Sequence, residues 1–366
     1  MRILLLGHAP AVHVQRWASA LAARGHEIRL LSVASAPGAA WPGRRVGLGL
    51  PVAALRVASA RQAVRRELAR FRPDVTVAHF LPNYGFLAVL AQARPLVLAC
   101  WGSDLLINPF RTPFHRARAA FVLRRADLIH VDAAMLGDAA IRLGAPPSSV
   151  WVRPWGVDVD ALAPRRPWAE RRAEAAMARI LWTRMLHPIY DPAAFLRALA
   201  ILRDRGVPFR ATIAGDGPLR PALEAEAKRL GVDGAVRFAG FVAEDALRSL
   251  YRDHEIYVSM SRSDSTSQSL LEAMAAGLLP IVSDIAGNRE WVTHRREGIL
   301  VPPGDGEAVA AAVAEALSAR AGEGNDPLAD AAAMTLRARE EAVRRARFSD
   351  TVTALEGKMR GLGSAR

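Results

Sequence analysis

Short apolar runs alternate with helix-spaced segments along most of this chain, and that rhythm constrains the fold more than any other feature. Arg2–Leu6 is apolar, residues 14–24 carry helical spacing through Val14, Trp17, Ala18 and Leu21, and Gly25 closes that helix before the run Ile28–Val33. Strand, helix, strand in this order seeds a parallel sheet, because a parallel neighbour is reached only through a crossover that the helix supplies. Pro73–His79, a helix over 84–93, Leu96–Cys100, Leu128–Val131, a helix near 133–143 and Val150–Arg153 continue the pattern. It restarts with Arg179–Thr183, a helix over 192–205, the strand and glycine turn Ala211–Pro218, and Val236–Val242. Between the two series lie the turn Pro154–Asp158 and a linker at Pro164–Pro167. A chain of 366 residues, 51% of them hydrophobic, is long for one core and supplies enough apolar surface for two. The expected division is 1–165, 166–345 and a terminal helical stretch 346–366 that returns to the first domain.

The second series contains the most informative junction. The apolar run Glu255–Met260 reads as a buried strand, the loop Ser261–Ser269 is rich in hydroxyls, and a helix follows that stops at Gly277 before Pro280. Serine and threonine cap helix starts, and the open amide groups near Thr266, Ser267 and Gln268 point along the helix axis, where its dipole favours an anion. Asp264 and Glu272 frame this loop. Arg184, just beyond the strand Arg179–Thr183, is placed to clamp a diphosphate with its planar fork of donors. In the first series the loop Gly7–His13 falls at the carboxyl end of a strand, where open α/β sheets place ligands. His79 ends another strand, and Trp101-Gly-Ser-Asp104 follows a third.

The spacing of Asp264 and Glu272, ahead of Ala-Met-Ala-Ala-Gly277, resembles the acidic motif of the family 4 glycosyltransferases, in which two glutamates are separated by seven residues. The likeness spans about residues 1–320. It is carried by Arg179–Arg184, Ala211–Pro218, Val236–Val242, Ala286–Trp291 and Gly298–Asp305, in that order. It implies two facing doubly wound (Rossmann-like) α/β domains separated by a cleft, the GT-B architecture, and a retaining transfer from a nucleotide-diphosphate sugar to a hydroxyl. By the same resemblance Asp264 binds donor-sugar hydroxyls and Glu272 the ribose. Gly215, Phe238, Gly240 and Gly7 line the donor, and His13, Trp101 and Asp104 lie on the acceptor side. Asp264, Arg184 and His79 make up the catalytic set, with His79 assisting the acceptor proton. The chain departs from the family at four places: Asp264 stands for glutamate, Trp101 for histidine, Ile189 for lysine, and Gly7 alone for a glycine pair. Trp101 points to stacking rather than polar catalysis.

Composition narrows the setting. The sole cysteine, Cys100, excludes an internal disulfide. Met1–Leu6 is too short an apolar core for a secretion signal, and no run reaches the length of a membrane helix, so a cytoplasmic location is expected, peripheral on the inner membrane face. Residues 1–165 hold 21 Arg and 9 acids, against 28 basic and 27 acidic residues in the remainder. The basic half, with Arg61, Arg65, Arg66 and Arg70 on one helix and the aromatic–basic segment Asn108–Arg125, suits an anionic membrane surface and a lipid-linked or glycan acceptor. Nucleic acid is not an expected partner, since no recognisable binding module is present. No metal or other cofactor is expected either, because Asp158 and Asp160 sit in a turn at the end of a sheet. Two other readings share the architecture: a nucleotide-sugar epimerase, which would need proton-abstracting acids and histidines where this loop has Ser, Thr and Gln, and a donor-binding protein that has lost transfer.

Overall fold

The structure, a computed structural model, describes residues 1–47, 53–173, 177–318 and 327–364. Of the Gly/Pro-rich loop expected over 37–51, residues 48–51 lie outside that set. The chain forms two compact units: Met1–Pro154 with Asp350–Arg366, and Trp155–Ser349. The division falls at Pro154 because Val157, Val159 and Leu162 already pack into the core of the second unit beside Leu181 and Tyr257. The segment Pro164–Pro167 therefore lies within that unit.

The first unit is built on β1 (Arg2–Leu6), β2 (Glu27–Ser32), β3 (Arg44–Arg45), β4 (Val75–His79), β5 (Leu96–Ala99), β6 (Leu128–Val131) and β7 (Val150–Val152). All pair in parallel, in the order β3-β2-β1-β4-β5-β6-β7. The helix Phe348–Ser364 joins this unit from Asp350 onward. Thr351 Oγ1 donates to the Pro154 carbonyl at 3.1 Å, and Glu356 pairs with Arg24 at 3.2 Å.

The second unit carries β8 (Ala178–Trp182), β9 (Phe209–Ile213), β10 (Val236–Phe238), β11 (Ile256–Ser259), β12 (Leu279–Ser283) and β13 (Ile299–Val301), again all parallel. Their order is β10-β9-β8-β11-β12-β13. Successive residues of one strand point to opposite faces. Ile180 and Trp182 of β8 accordingly enter one apolar cluster and Leu181 the other, and Ile256 and Val258 are divided from Tyr257 in the same way. Both faces are buried, which is why these strands read as unbroken apolar runs.

Two local readings change. The helix expected over 84–93 is a π-turn at Leu81–Gly85 running into a short helix, Phe86–Leu90. Pro82 near its start removes a backbone donor there. The strand expected over 236–242 ends at Phe238, since Gly240 takes a left-handed φ of +67° that turns the chain away from the sheet.

In each sheet the first strand of the unit lies between strands to which the chain winds in opposite directions. The crevice outside the carboxyl ends of β1 and β4, and of β8 and β11, is where doubly wound sheets hold ligands.

Candidate active site

Arg184 follows β8, and the loop Ser261–Ser267 follows β11, so the two meet above the switch point of the second sheet. Arg184 Nη2 donates to Asp264 Oδ2 at 2.5 Å, and Nη1 to Ser267 Oγ at 3.0 Å and Ser269 Oγ at 3.2 Å. Its guanidinium lies over the Tyr190 ring, 4.2 Å from the centroid. Burial alone would lower the Arg184 pKa, but Asp264 and the surrounding tyrosines raise it, so the fork is a fixed cation. Tyr190 is next to Ile189, at the place of the family's lysine. The loop carrying both is tied to the site loop by Arg262 N, which donates to Ile189 O at 2.8 Å, and by the Arg262–Asp191 pair at 2.6 Å.

The helix Gln268–Ala275 starts here, with Ser267 as its cap: Ser267 Oγ accepts from Leu270 N at 3.4 Å. The hydroxyls that sequence alone marks as ligand donors are turned largely inward. Ser265, Thr266, Ser267 and Ser269 are all buried; Thr266 Oγ1 accepts from Trp291 Nε1 at 3.2 Å, and Ser269 Oγ pairs with the Tyr257 hydroxyl at 2.7 Å. They fix the loop's shape, which leaves the backbone amides and Arg184 as the groups whose chemistry suits an anion. Gln268 Nε2 instead reaches the Gly156 carbonyl at 3.2 Å.

Glu272 is half-buried one turn further on. Its Oε2 accepts from the Tyr251 hydroxyl at 2.9 Å, and the Tyr251 hydroxyl oxygen is also 2.9 Å from Thr183 Oγ1. Burial, and then the Glu272 charge, raise the Tyr251 pKa far above that of a free phenol, so it remains a donor. Tyr251, Tyr257 and Tyr190 escape a motif search, because each belongs to an apolar stripe until its hydroxyl or ring face is seen against the site. Close backbone approach explains two glycines. A Cβ on Gly215 would fall on the Arg184 carbonyl, and one on Gly287 would stand 2.6 Å from the Asp264 carbonyl oxygen. Gly240 and Phe238 lie at the end of β10, with the exposed Phe241 after them.

Asp158 and Asp160 have structural partners. Asp158 Oδ1 accepts from Ala161 N at 3.0 Å, and Asp160 pairs with Arg347. Among the described residues no cluster of three His, Cys, Asp or Glu side chains is placed to hold a metal ion.

The first unit has its own site at the carboxyl ends of β1 and β4, a cavity of about 330 Å³ whose lining includes His8, His13, His79, Asn83, Tyr84 and Trp101. Gly7 is buried at the end of β1 against Val14 and His79. Trp101 stacks on His13 with ring centres 4.6 Å apart and lies 5.7 Å from His79. Asp104 sits beneath: Oδ1 accepts from Trp101 N at 2.9 Å and Oδ2 from Leu81 N at 3.2 Å, so one carboxyl ties together both loops of the pocket. It therefore acts from below the cavity rather than in its lining. Burial raises its pKa to about 6 despite those bonds. Phe80, between His79 and Leu81, is held at φ +78°, a strained value for a residue with a side chain. Burial, then the neighbouring His13, lower the His79 pKa to about 3. At neutral pH His79 is thus an uncharged hydrogen-bonding group and a poor proton acceptor.

Comparison with known proteins agrees with this layout. The model described as glycosyl transferases group 1 matches residues 178–319, and that described as a glycosyl transferase 4-like domain matches residues 9–156. The Escherichia coli putative colanic acid biosynthesis glycosyltransferase WcaL is 27% identical over 66% of the chain and 60% of its own length. A D-inositol 3-phosphate glycosyltransferase of Streptomyces scabiei is 30% identical over 52% of the chain and 46% of its own. The matched stretch therefore spans less than two thirds of either relative. Among solved structures, Anabaena HepE in complex with UDP superposes with a TM-score of 0.79 at 18% identity, covering 99% of this chain and 100% of that one. Sucrose-phosphate synthase from Thermosynechococcus elongatus gives 0.82 at 17% identity over 100% of both chains. Two doubly wound units, the acidic loop with its arginine, and family models matching in both halves lead to one conclusion: the chain belongs to the group 1, family 4-type glycosyltransferases.

Proposed function

We propose that the protein is a retaining glycosyltransferase that moves a hexosyl or N-acetylhexosaminyl group from a nucleotide-diphosphate sugar to a hydroxyl of a cell-envelope or lipid-linked glycan. The observation that carries this reading is the Arg184 fork, held by Asp264, Ser267 and Ser269 at the start of the helix Gln268–Ala275. As the bond from sugar to phosphate breaks, negative charge grows on the leaving diphosphate. A fixed guanidinium and the loop amides offset that charge without reorganising. Glu272, one turn into the helix, takes ribose hydroxyls, and Asp264 those of the sugar. Anabaena HepE is solved in complex with UDP and with UDP-glucose, which supports a uridine nucleotide as the first donor to try.

Retention follows when a donor phosphate oxygen accepts the proton of the attacking hydroxyl on the face the diphosphate leaves. On this reading His79 does not take the proton of that hydroxyl. The Arg184 guanidinium and the loop amides on this reading neutralise the leaving diphosphate, and the reaction runs without a divalent ion. The first unit takes the acceptor, and its exposed Ile107, Phe110 and Phe114 beside Arg111 and Arg116 support adsorption to an anionic membrane face.

The test is release of nucleotide diphosphate from UDP-sugars with and without an envelope-lipid extract, in the presence of excess chelator. Release that depends on the extract and survives the chelator is the expected result. Nucleotide binding without acceptor-dependent release would mean a donor-binding protein. Loss in chelator, restored by added metal, would overturn the metal-independent step.

A further inference from the structure

Arg184 is held along its edge and across one face, and the two holds differ. Along the edge, Nη1 and Nη2 bond Ser267, Ser269 and Asp264, while Nε is closed from solvent with no hydrogen-bond partner among the described residues. Hydroxyls accept over a broad range of directions, so these bonds alone leave the guanidinium plane free to tilt. The face is covered by the Tyr190 ring, whose centroid lies 4.2 Å from Cζ. Only 12% of the Arg184 side chain is exposed, so little water competes with the contact between cation and ring, which is stronger when desolvated. The plane matters because a guanidinium meets two phosphate oxygens at once only when its fork is aligned with them.

A ring can set that plane only if it is fixed itself. Tyr190 packs against the apolar cluster of the second unit that includes Trp182 and Phe195. Before it, Ile189 O accepts from Arg262 N at 2.8 Å. After it, Asp191 takes a left-handed φ of +48°, which its short side chain supports by capping the helix Pro192–Asp204, Oδ1 accepting from Ala194 N at 3.3 Å. Asp191 Oδ2 also accepts from Arg262 Nε at 3.1 Å and Nη2 at 2.6 Å. Arg262 is two residues before Asp264, so ring, arginine and acid are anchored to one loop.

We propose that Tyr190 is a positioning residue of the donor site, its ring fixing the plane in which the Arg184 guanidinium meets a diphosphate. The proposal rests on the reading of Arg184 as the group that takes the donor diphosphate. Tyr190 acts through the arginine, by its ring and not by its hydroxyl.

Full-length protein and the variants Tyr190→Leu and Tyr190→Phe, titrated with UDP by calorimetry and with uridine by competition against UDP, test it. Tyr190→Leu should weaken UDP by about tenfold and leave uridine within about twofold, since only the diphosphate meets Arg184. Tyr190→Phe keeps the ring and should bind UDP as the native protein does. The Nε–H signal of Arg184 in proton–nitrogen NMR spectra, identified by its loss in Arg184→Lys, reports the stacking directly. It should carry a ring-current shift in native and Tyr190→Phe protein that is absent from Tyr190→Leu. Tyr190→Met, which fills the space with an unbranched chain, takes over if Tyr190→Leu fails to fold. Three results would overturn the proposal: equal losses of UDP and uridine, UDP affinity unchanged in Tyr190→Leu, or a tenfold loss in Tyr190→Phe. Unchanged affinity in Tyr190→Leu together with acceptor-dependent nucleotide release by the native protein removes this inference and leaves the transferase standing. The expected loss of UDP affinity in a protein whose native form releases no nucleotide with any acceptor does the reverse.

Discussion

Glu272 is held from below by the Tyr251 hydroxyl, which donates to its Oε2 at 2.9 Å while Thr183 Oγ1 lies 2.9 Å from the same phenol oxygen. If this bond fixes the carboxylate for a ribose, Tyr251→Phe should weaken UDP binding by about 0.5–1.5 kcal/mol, and Glu272→Gln by about 1.5–3 kcal/mol. Calorimetry reads both, and a Tyr251→Phe protein that binds UDP as before would show that the helix alone positions the acid. In the other unit, Asp104 has its pKa raised by burial from 3.8 to about 6. Between those values the folded state holds a proton that the unfolded chain has lost, so its contribution falls as pH rises through that window. Relative to Asp104→Asn, the native protein should lose roughly 3 kcal/mol between pH 4 and pH 7, measured by urea denaturation. A flat difference would place the carboxyl in contact with water. Asp264, Glu272 and Arg184 were legible in the sequence because their spacing from strand ends and helix starts is a motif. Tyr251 was not, because its hydroxyl meets the candidate site only through a contact 21 positions away.

At the scale of elements, periodicity located most strands and helices, since two buried sheet faces leave apolar runs that are hard to mistake. It did not show that the hydroxyls of the loop after β11 would bond one another, because that depends on Arg184 and Trp291 arriving from other elements. Gly287 is the tightest of these junctions: an added Cβ would overlap the Ser265 carbonyl oxygen. Gly287→Ala should therefore move the loop that holds Asp264, costing about 1–3 kcal/mol of stability and most of the donor affinity. Gly357, on an exposed part of the helix Phe348–Ser364 with nothing within 4 Å of its would-be Cβ, is the matched control. There alanine should stabilise by about 0.5–1 kcal/mol. Thermal melts with and without UDP separate the two, and equal behaviour would mean that the close approach at Gly287 relaxes freely.

Across the whole molecule, charge is unevenly spread: 21 Arg and 9 acids in residues 1–165 against 28 basic and 27 acidic residues beyond. Arg61, Arg65, Arg66 and Arg70 are all exposed on the helix Ala53–Phe71. Of the aromatics in Asn108–Arg125, Phe110 and Phe114 point outward at 64% and 67% exposure, whereas Phe121 packs on the core under Arg125. Full-length protein should cosediment with anionic vesicles at low salt and be released as screening shortens to about 8 Å near physiological ionic strength. Apolar contact from the exposed Phe110 and Phe114 should leave a smaller part of the binding that resists salt, and Phe110→Asp with Phe114→Asp should abolish it. Equal binding to neutral vesicles would remove the electrostatic account. Cutting the chain in two is the wrong way to run this test, since the first unit includes Asp350–Arg366. The same discontinuity sets an order of events on the ribosome. Residues 155–349 form an uninterrupted unit and have left the peptidyl transferase centre before 350–366 are made. The unit that begins first is thus completed last. Until then it lacks the helix carrying Thr351 and Glu356, and the Pro154 carbonyl and Arg24 that this helix meets await their partners in the nascent chain.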